Sequence, residues 1–122
     1  MPRTRLFDED LPGCAMEASV KIIGGKWKGV ILFHLLERAT RFNELDRLMP
    51  GISPRLLTKQ LRELEEDGLV LRTVYPVVPP KVEYSLTEEA RSLAPLLLQL
   101  NEWGEQWLAR RSILTRNNTA AS

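Results

Sequence analysis

The stretch SPRLLTKQLRELEEDG, Ser53 to Gly68, constrains the chain more than any other, because it is a helix with both ends written out. Ser53 is a good N-cap, and Pro54 suits the first helical position, where its missing N–H would have had no partner anyway. Gly68 can adopt the left-handed conformation that closes a helix. At about 100° per residue, Leu57, Leu61 and Leu64 share one narrow stripe, with Arg55, Thr58, Lys59 and Arg62 nearly opposite. The acids Glu63, Glu65, Glu66 and Asp67 crowd the C-terminal half, against the preference of the helix dipole. Cationic and hydroxyl side chains thus occupy the exposed face of the first two turns, as in a helix that points that end at an anion. The competing reading is a solvated face in which Arg62 pairs with Glu66.

The neighbouring stretches favour the first reading. Cys14 precedes a short helix over Ala15–Ile23, which Gly24-Gly25 breaks. A central helix is expected from Lys26 to about Glu37, where Trp27, Val30, Ile31, Leu32, Phe33, Leu35 and Leu36 cover most of the circumference. His34, the only histidine, reads there as a packed core residue rather than a ligand or base. Lys26 and Lys28 stand on the first turn, where they either hold a phosphate or are simply solvated. Arg41-Phe42 is extended, and a small helix follows from about Asn43 to Met49. Pro50-Gly51 then turns the chain into Ser53. Two short helices joined by a tight turn, the second capped and basic, make a helix-turn-helix.

After Gly68 the apolar period changes from 3.6 to 2. Leu69 to Tyr75 and Lys81 to Leu86 are the strands of a hairpin, with Pro76-Val77-Val78-Pro79-Pro80 as a stiff, extended tip. A hairpin directly after such a helix is a wing. Thr87 N-caps a final helix to about Arg111, with Pro95 expected to kink it. Leu93, Leu97, Leu100, Trp103, Gly104 and Trp107 lie in its apolar band, together with Leu96 and Leu108. A helix of about 36 Å exceeds what so small a domain can cover, so the band is expected to be a dimer seam. Gly104 would let two backbones approach closely. Residues 1–13 read as a flexible arm, 14–111 as the domain, and 112–122 as a disordered tail.

The 17 basic and 16 acidic residues give a net charge of +1, too balanced for binding by bulk charge; a nucleic-acid contact must be local. No apolar run approaches the ~18 residues a membrane span needs, and residues 1–13 lack a signal-peptide core. A cytoplasmic protein is expected. The single cysteine cannot build a disulfide framework, and neither a metal site nor a cofactor motif is present. A thiol enzyme on Cys14 would need a nearby base, and His34 sits in an apolar helix; no catalytic residues are assigned. RNA binding lacks an aromatic platform.

The segments IIGGKWKGVILFHLL (22–36), RFNEL (41–45), PGIS (50–53) and LTKQLRELEEDGLVLRTVYPVVPPKVEYSLT (57–87), with the Leu/Trp helix after them and a cysteine before, resemble the HxlR family of bacterial transcription regulators. The likeness spans about Cys14 to Trp107. One departure is Ala90, where the family commonly has Gly, and Ala suits a helix better. The resemblance implies an α+β winged helix-turn-helix with a long C-terminal dimerisation helix, acting as a homodimer on double-stranded DNA. By position, Ser53, Arg55, Thr58, Lys59 and Arg62 correspond to groove contacts, and Lys26, Lys28 and Lys81 to backbone contacts. Arg55 and Arg62 are expected to grip guanine edges. Some members of the family use an N-terminal cysteine to sense quinones, aldehydes or oxidants, which makes Cys14 the candidate for an electrophile or oxidant input. The resulting expectation is a nucleoid-associated bacterial repressor on a palindromic operator. The alternative is a winged-helix protein-interaction module that binds no DNA, using the Val77-Val78 tip and the Leu/Trp band.

Overall fold

In the computed structural model, residues 13–121 are described, with side chains to Ser112; the expected arm, apart from Gly13, lies outside the described residues. The element order is α1 (Ala15–Ile23), α2 (Lys28–His34), β1 (Thr40–Arg41), α3 (Phe42–Leu48), α4 (Pro54–Glu66), β2 (Val70–Tyr75), β3 (Lys81–Leu86), α5 (Glu88–Arg91) and α6 (Ala94–Ala121). The strands form one antiparallel sheet in the order β1-β3-β2. This is the α+β winged helix expected, with α3 and α4 as the helix pair and the β2–β3 hairpin as the wing.

The helix α4 is closed as its sequence dictates. Ser53 Oγ accepts the Leu56 N–H at 3.1 Å. At the other end Gly68 takes φ +77°. Its N–H donates to Glu65 O, and the Leu69 N–H reaches back to Leu64 O at 2.9 Å, the paired bonds of a Schellman close. Leu57, Leu61 and Leu64 are fully buried in one cluster with Ile31 and Leu32 of α2, Leu35 at its C-cap, and Leu45 and Met49 of the α3 segment. Burying this stripe fixes which face of α4 remains in solvent, and so links the core to the candidate site.

Four expectations change. The central helix is shorter at both ends. Gly25 (φ +78°) holds Lys26 in a turn, and the last turn tightens as Leu36 N–H bonds to Phe33 O at 3.2 Å. Within α2, His34 is half-buried rather than a core residue, with its ring edge-on to Phe33; partial burial holds its pKa below the usual value.

The final helix is broken, not kinked. Pro95 has no N–H to give Arg91 O, and its ring would clash with that carbonyl, so α5 ends at Arg91. Leu93 N–H turns instead to Ala90 O at 3.0 Å, and Leu97 N–H restarts the ladder on Leu93 O at 2.9 Å. Pro95 then occupies the first turn of α6, where it costs nothing. Finally, α6 runs to Ala121 instead of giving way to a tail at residue 112. Residues 112–121 contain neither Gly nor Pro, and once nucleated a helix propagates through such residues.

Candidate nucleic-acid interface

The exposed side of α4 carries Ser53, Arg55, Thr58, Lys59 and Arg62 together, all solvent-accessible. Two of the hydroxyls are partly committed to the helix itself. Ser53 caps it, and Thr58 Oγ1 donates to Pro54 O at 2.8 Å. The three cations are free of such ties: among the described residues none of them has an ion pair, and the expected Arg62–Glu66 alternative does not form. The basic half of the helix therefore meets solvent with its charge uncompensated locally.

The lysines around it are placed differently from one another. Lys26 is exposed in the turn before α2, its ammonium 4.8 Å from the Trp27 ring centroid. Lys28, expected beside it as a phosphate contact, is turned inward and nearly buried. Its Nζ donates to Glu63 of α4 at 3.1 Å, so its charge braces α2 against α4 instead of reaching an outside anion. Lys81 lies at the tip end of the wing strands, 2.9 Å from Glu83 and 4.8 Å from the Tyr75 ring centroid. Its hydrogen bond holds the Glu83 carboxyl below the usual carboxylate range, with Tyr75 and Arg41 acting in the same direction. The charge of Lys81 is thereby partly offset. Register shows the reason: Lys81 pairs with Tyr75, and Glu83 with both Thr73 and Arg41, all on the sheet face away from α4.

The opposite face was not anticipated as part of the site. Val70 and Leu86 pair across the hairpin and are buried, so alternation turns Arg72 and Tyr84 the same way, towards α4. The signal was in the sequence: an arginine in the inward register of a strand.

Away from α4, the apolar band divides. Leu97 is 4% exposed and Leu93 half-buried, both packed into the protein's own core, so they do not face outward with the rest. Leu100, Trp103 and Trp107 are exposed, joined by Leu96 and Leu108. Between α2 and α6 runs a mostly apolar groove of about 460 Å³ that includes Val30, Phe33, His34 and Leu100. Met16 and Val20 of α1 are exposed as well. Cys14 stands at the N-cap of α1 with its thiol in solvent. The backbone N–H groups of Glu17, then Met16, hold its pKa below the ordinary thiol value. Among the described residues no helix is long and apolar enough to cross a membrane.

Comparison with known proteins fixes the class of this architecture. The profile of the HxlR-like helix-turn-helix family matches residues 22–112. The chain belongs to that family. An uncharacterised HTH-type transcriptional regulator of Bacillus subtilis strain 168, YdeP, is 54% identical over 102 residues, covering 84% of this chain and 80% of YdeP. A second from the same organism, YybR, is 57% identical over 93 residues, covering 76% and 74% of the two chains. Among solved structures, the redox regulator HypR in its oxidised form superposes with a TM-score of 0.74 at 56% identity, covering 76% of this chain and 96% of HypR. As an HxlR-like chain, the protein is a helix-turn-helix transcription regulator.

Proposed function

We propose that this HxlR-like protein works as a homodimer that reads a palindromic operator in double-stranded DNA and represses the gene beside it, in the cytoplasm and on the nucleoid of a bacterium. The observation that carries the reading is the capped, basic first half of α4, whose cations have no ion pair among the described residues. It enters the major groove, where Arg55 meets base edges, Ser53, Thr58 and Lys59 line the groove, and Lys26 and Lys81 approach the backbone. A dimer laid across a promoter acts by occupying it, which gives repression as the sign. The rival, an interaction module without DNA, draws on the exposed wing tip, where Val78 is 100% exposed. Salt separates them: phosphate contacts make log affinity fall linearly with log salt, whereas a Val-tip contact does not.

The dimer rests on α6, 28 residues or about 42 Å long, on which Leu96, Leu100, Trp103, Trp107 and Leu108 are exposed. The α2–α6 groove offers a partner helix a seat beside them. Analytical ultracentrifugation at micromolar concentration is expected to show a dimer. Gly104 gives a clean probe, because a Cβ there meets no atom within 4 Å in the single chain. Gly104→Leu should therefore leave the fold intact, yet weaken the dimer by about 1–3 kcal/mol through overpacking at the seam. A wild-type monomer under those conditions contradicts the dimer.

The input proposed is Cys14. An exposed thiol at a helix N-terminus has a raised thiolate fraction, and the thiolate is the nucleophile. Diamide would take two electrons and two protons from the two Cys14 thiols of a dimer, leaving one disulfide and the corresponding hydrazine; towards a quinone, the thiolate would add to the ring instead. Either change beside the seam would alter the spacing of the two recognition helices and release DNA. The similarity to a regulator solved in oxidised and reduced forms supports this input. Operator affinity of the wild type is expected to fall after diamide or quinone, while Cys14→Ser keeps its affinity. Equal loss, or no loss, in both removes Cys14 as the sensor.

A further inference from the structure

A polar cleft of about 360 Å³ separates α4 from the wing, lined by Thr58, Arg62 and Glu65 of the helix and by Arg72 and Tyr84 of the sheet. Arg72 and Tyr84 are directly paired across β2 and β3, which puts them on the same face. Two residues further in, that face is fully apolar, with Val70 and Leu86 buried. Arg62 and Arg72 are both exposed, so the two guanidiniums stand in solvent on opposite walls of the cleft, open to an anion. Neither Arg62 nor Arg72 has an ion pair among the described residues. The only acid in the lining is Glu65, so two positive charges face one negative charge.

The geometry points to a DNA phosphodiester as the occupant of this cleft, gripped by Arg62 from the recognition helix and Arg72 from the wing. This rests on the DNA-binding reading above and deepens it. Planar guanidinium forks match phosphate oxygens bidentately, and the Tyr84 hydroxyl is a further donor in the lining. The Thr58 hydroxyl is not counted, because its proton is given to Pro54 O. The assignment also changes the role of Arg62. It lies seven residues after Arg55, about 10 Å further along the axis, whereas base edges are reached by the N-terminal residues of a recognition helix. Arg55 is left to read sequence, and Arg62 with Arg72 sets the register of the helix on the strand.

The test is fluorescence-anisotropy titration of the full chain over a salt series. The probes are the duplex footprinted beside its own gene and a random duplex of equal length. Arg62→Gln and Arg72→Gln are each expected to lose about tenfold on both duplexes alike, with a salt slope lower by about one. The double variant should lose less than the product of the two, since both arginines hold one phosphate. Glu65→Gln should tighten both duplexes, a gain that misfolding cannot produce. The proposal is overturned if Arg72→Gln binds both duplexes like the wild type with an unchanged slope. It is overturned equally if Arg62→Gln loses affinity for the operator alone, or if Glu65→Gln leaves affinity unchanged. A wild type with no salt-dependent duplex binding removes the DNA reading itself, and the cleft with it.

Discussion

Leu61→Ala is expected to destabilise the fold by about 2–5 kcal/mol, the cost of removing a buried leucine and leaving a cavity that its neighbours only partly fill. Leu61 is 1% exposed, between the fully buried Leu57 and Leu64 on the one apolar stripe of α4. Its loss therefore loosens the element that presents the cationic face, and DNA affinity should fall together with stability. Urea unfolding at fixed protein concentration checks it, the concentration being held because dimerisation adds to apparent stability. A midpoint unchanged from the wild type would mean that α4 is not anchored by this stripe.

Arg55→Ala is expected to leave stability nearly unchanged and to cost about 1–3 kcal/mol in binding to the specific duplex, with far less effect on random DNA. The residue lies in the first turn of α4, exposed and without an ion pair among the described residues. Nothing in the free protein depends on it. In the groove, a guanidinium held at the helix N-terminus reaches the acceptor pair on guanine. Equilibrium titration against both duplexes gives the ratio that matters. If Arg55→Ala binds operator and random DNA with the wild-type ratio, Arg55 does not read bases.

Much of the fold was legible because local signals agreed with one another. Ala15–Ile23 and Lys81–Leu86 are observed with the bounds their punctuation implies, and the cap, stripe and close of α4 all point to one structure. The failures came from effects that act at a distance. Pro95 was read as a kink where it stands, but its missing donor and its ring act on the carbonyl four residues upstream, so the helix stops at Arg91. Lys26 and Lys28 looked equivalent on one turn. A partner 35 residues away decided otherwise for Lys28, and no local pattern shows Glu63 beside it. Leu93 and Leu97 share a helical band with Trp103 and Trp107, but the first pair packs into the buried cluster, a placement that the helical pattern alone does not show.

The candidate site divides along the same line. The exposed face of α4 follows from periodicity alone, since burying one stripe leaves the other outside. The pairing of Lys81 with Glu83 was open to inspection, because residues two apart on a strand share a face. Arg72 goes unassigned in the sequence reading, although counting from the buried Val70 puts it on the sheet face that looks towards α4. The cleft with Arg62 appears only once the wing is folded against α4.

The central claim is that α4 delivers one basic helix per subunit into DNA, and hydroxyl-radical footprinting of the duplex beside its own gene, repeated over a salt series, tests it most directly. Two protected patches are expected, with centres about 34 Å apart or a multiple of that, and log affinity should fall linearly as log salt rises. A single patch would contradict the dimeric arrangement. No protection at all, or an affinity indifferent to salt, would contradict DNA binding by this helix.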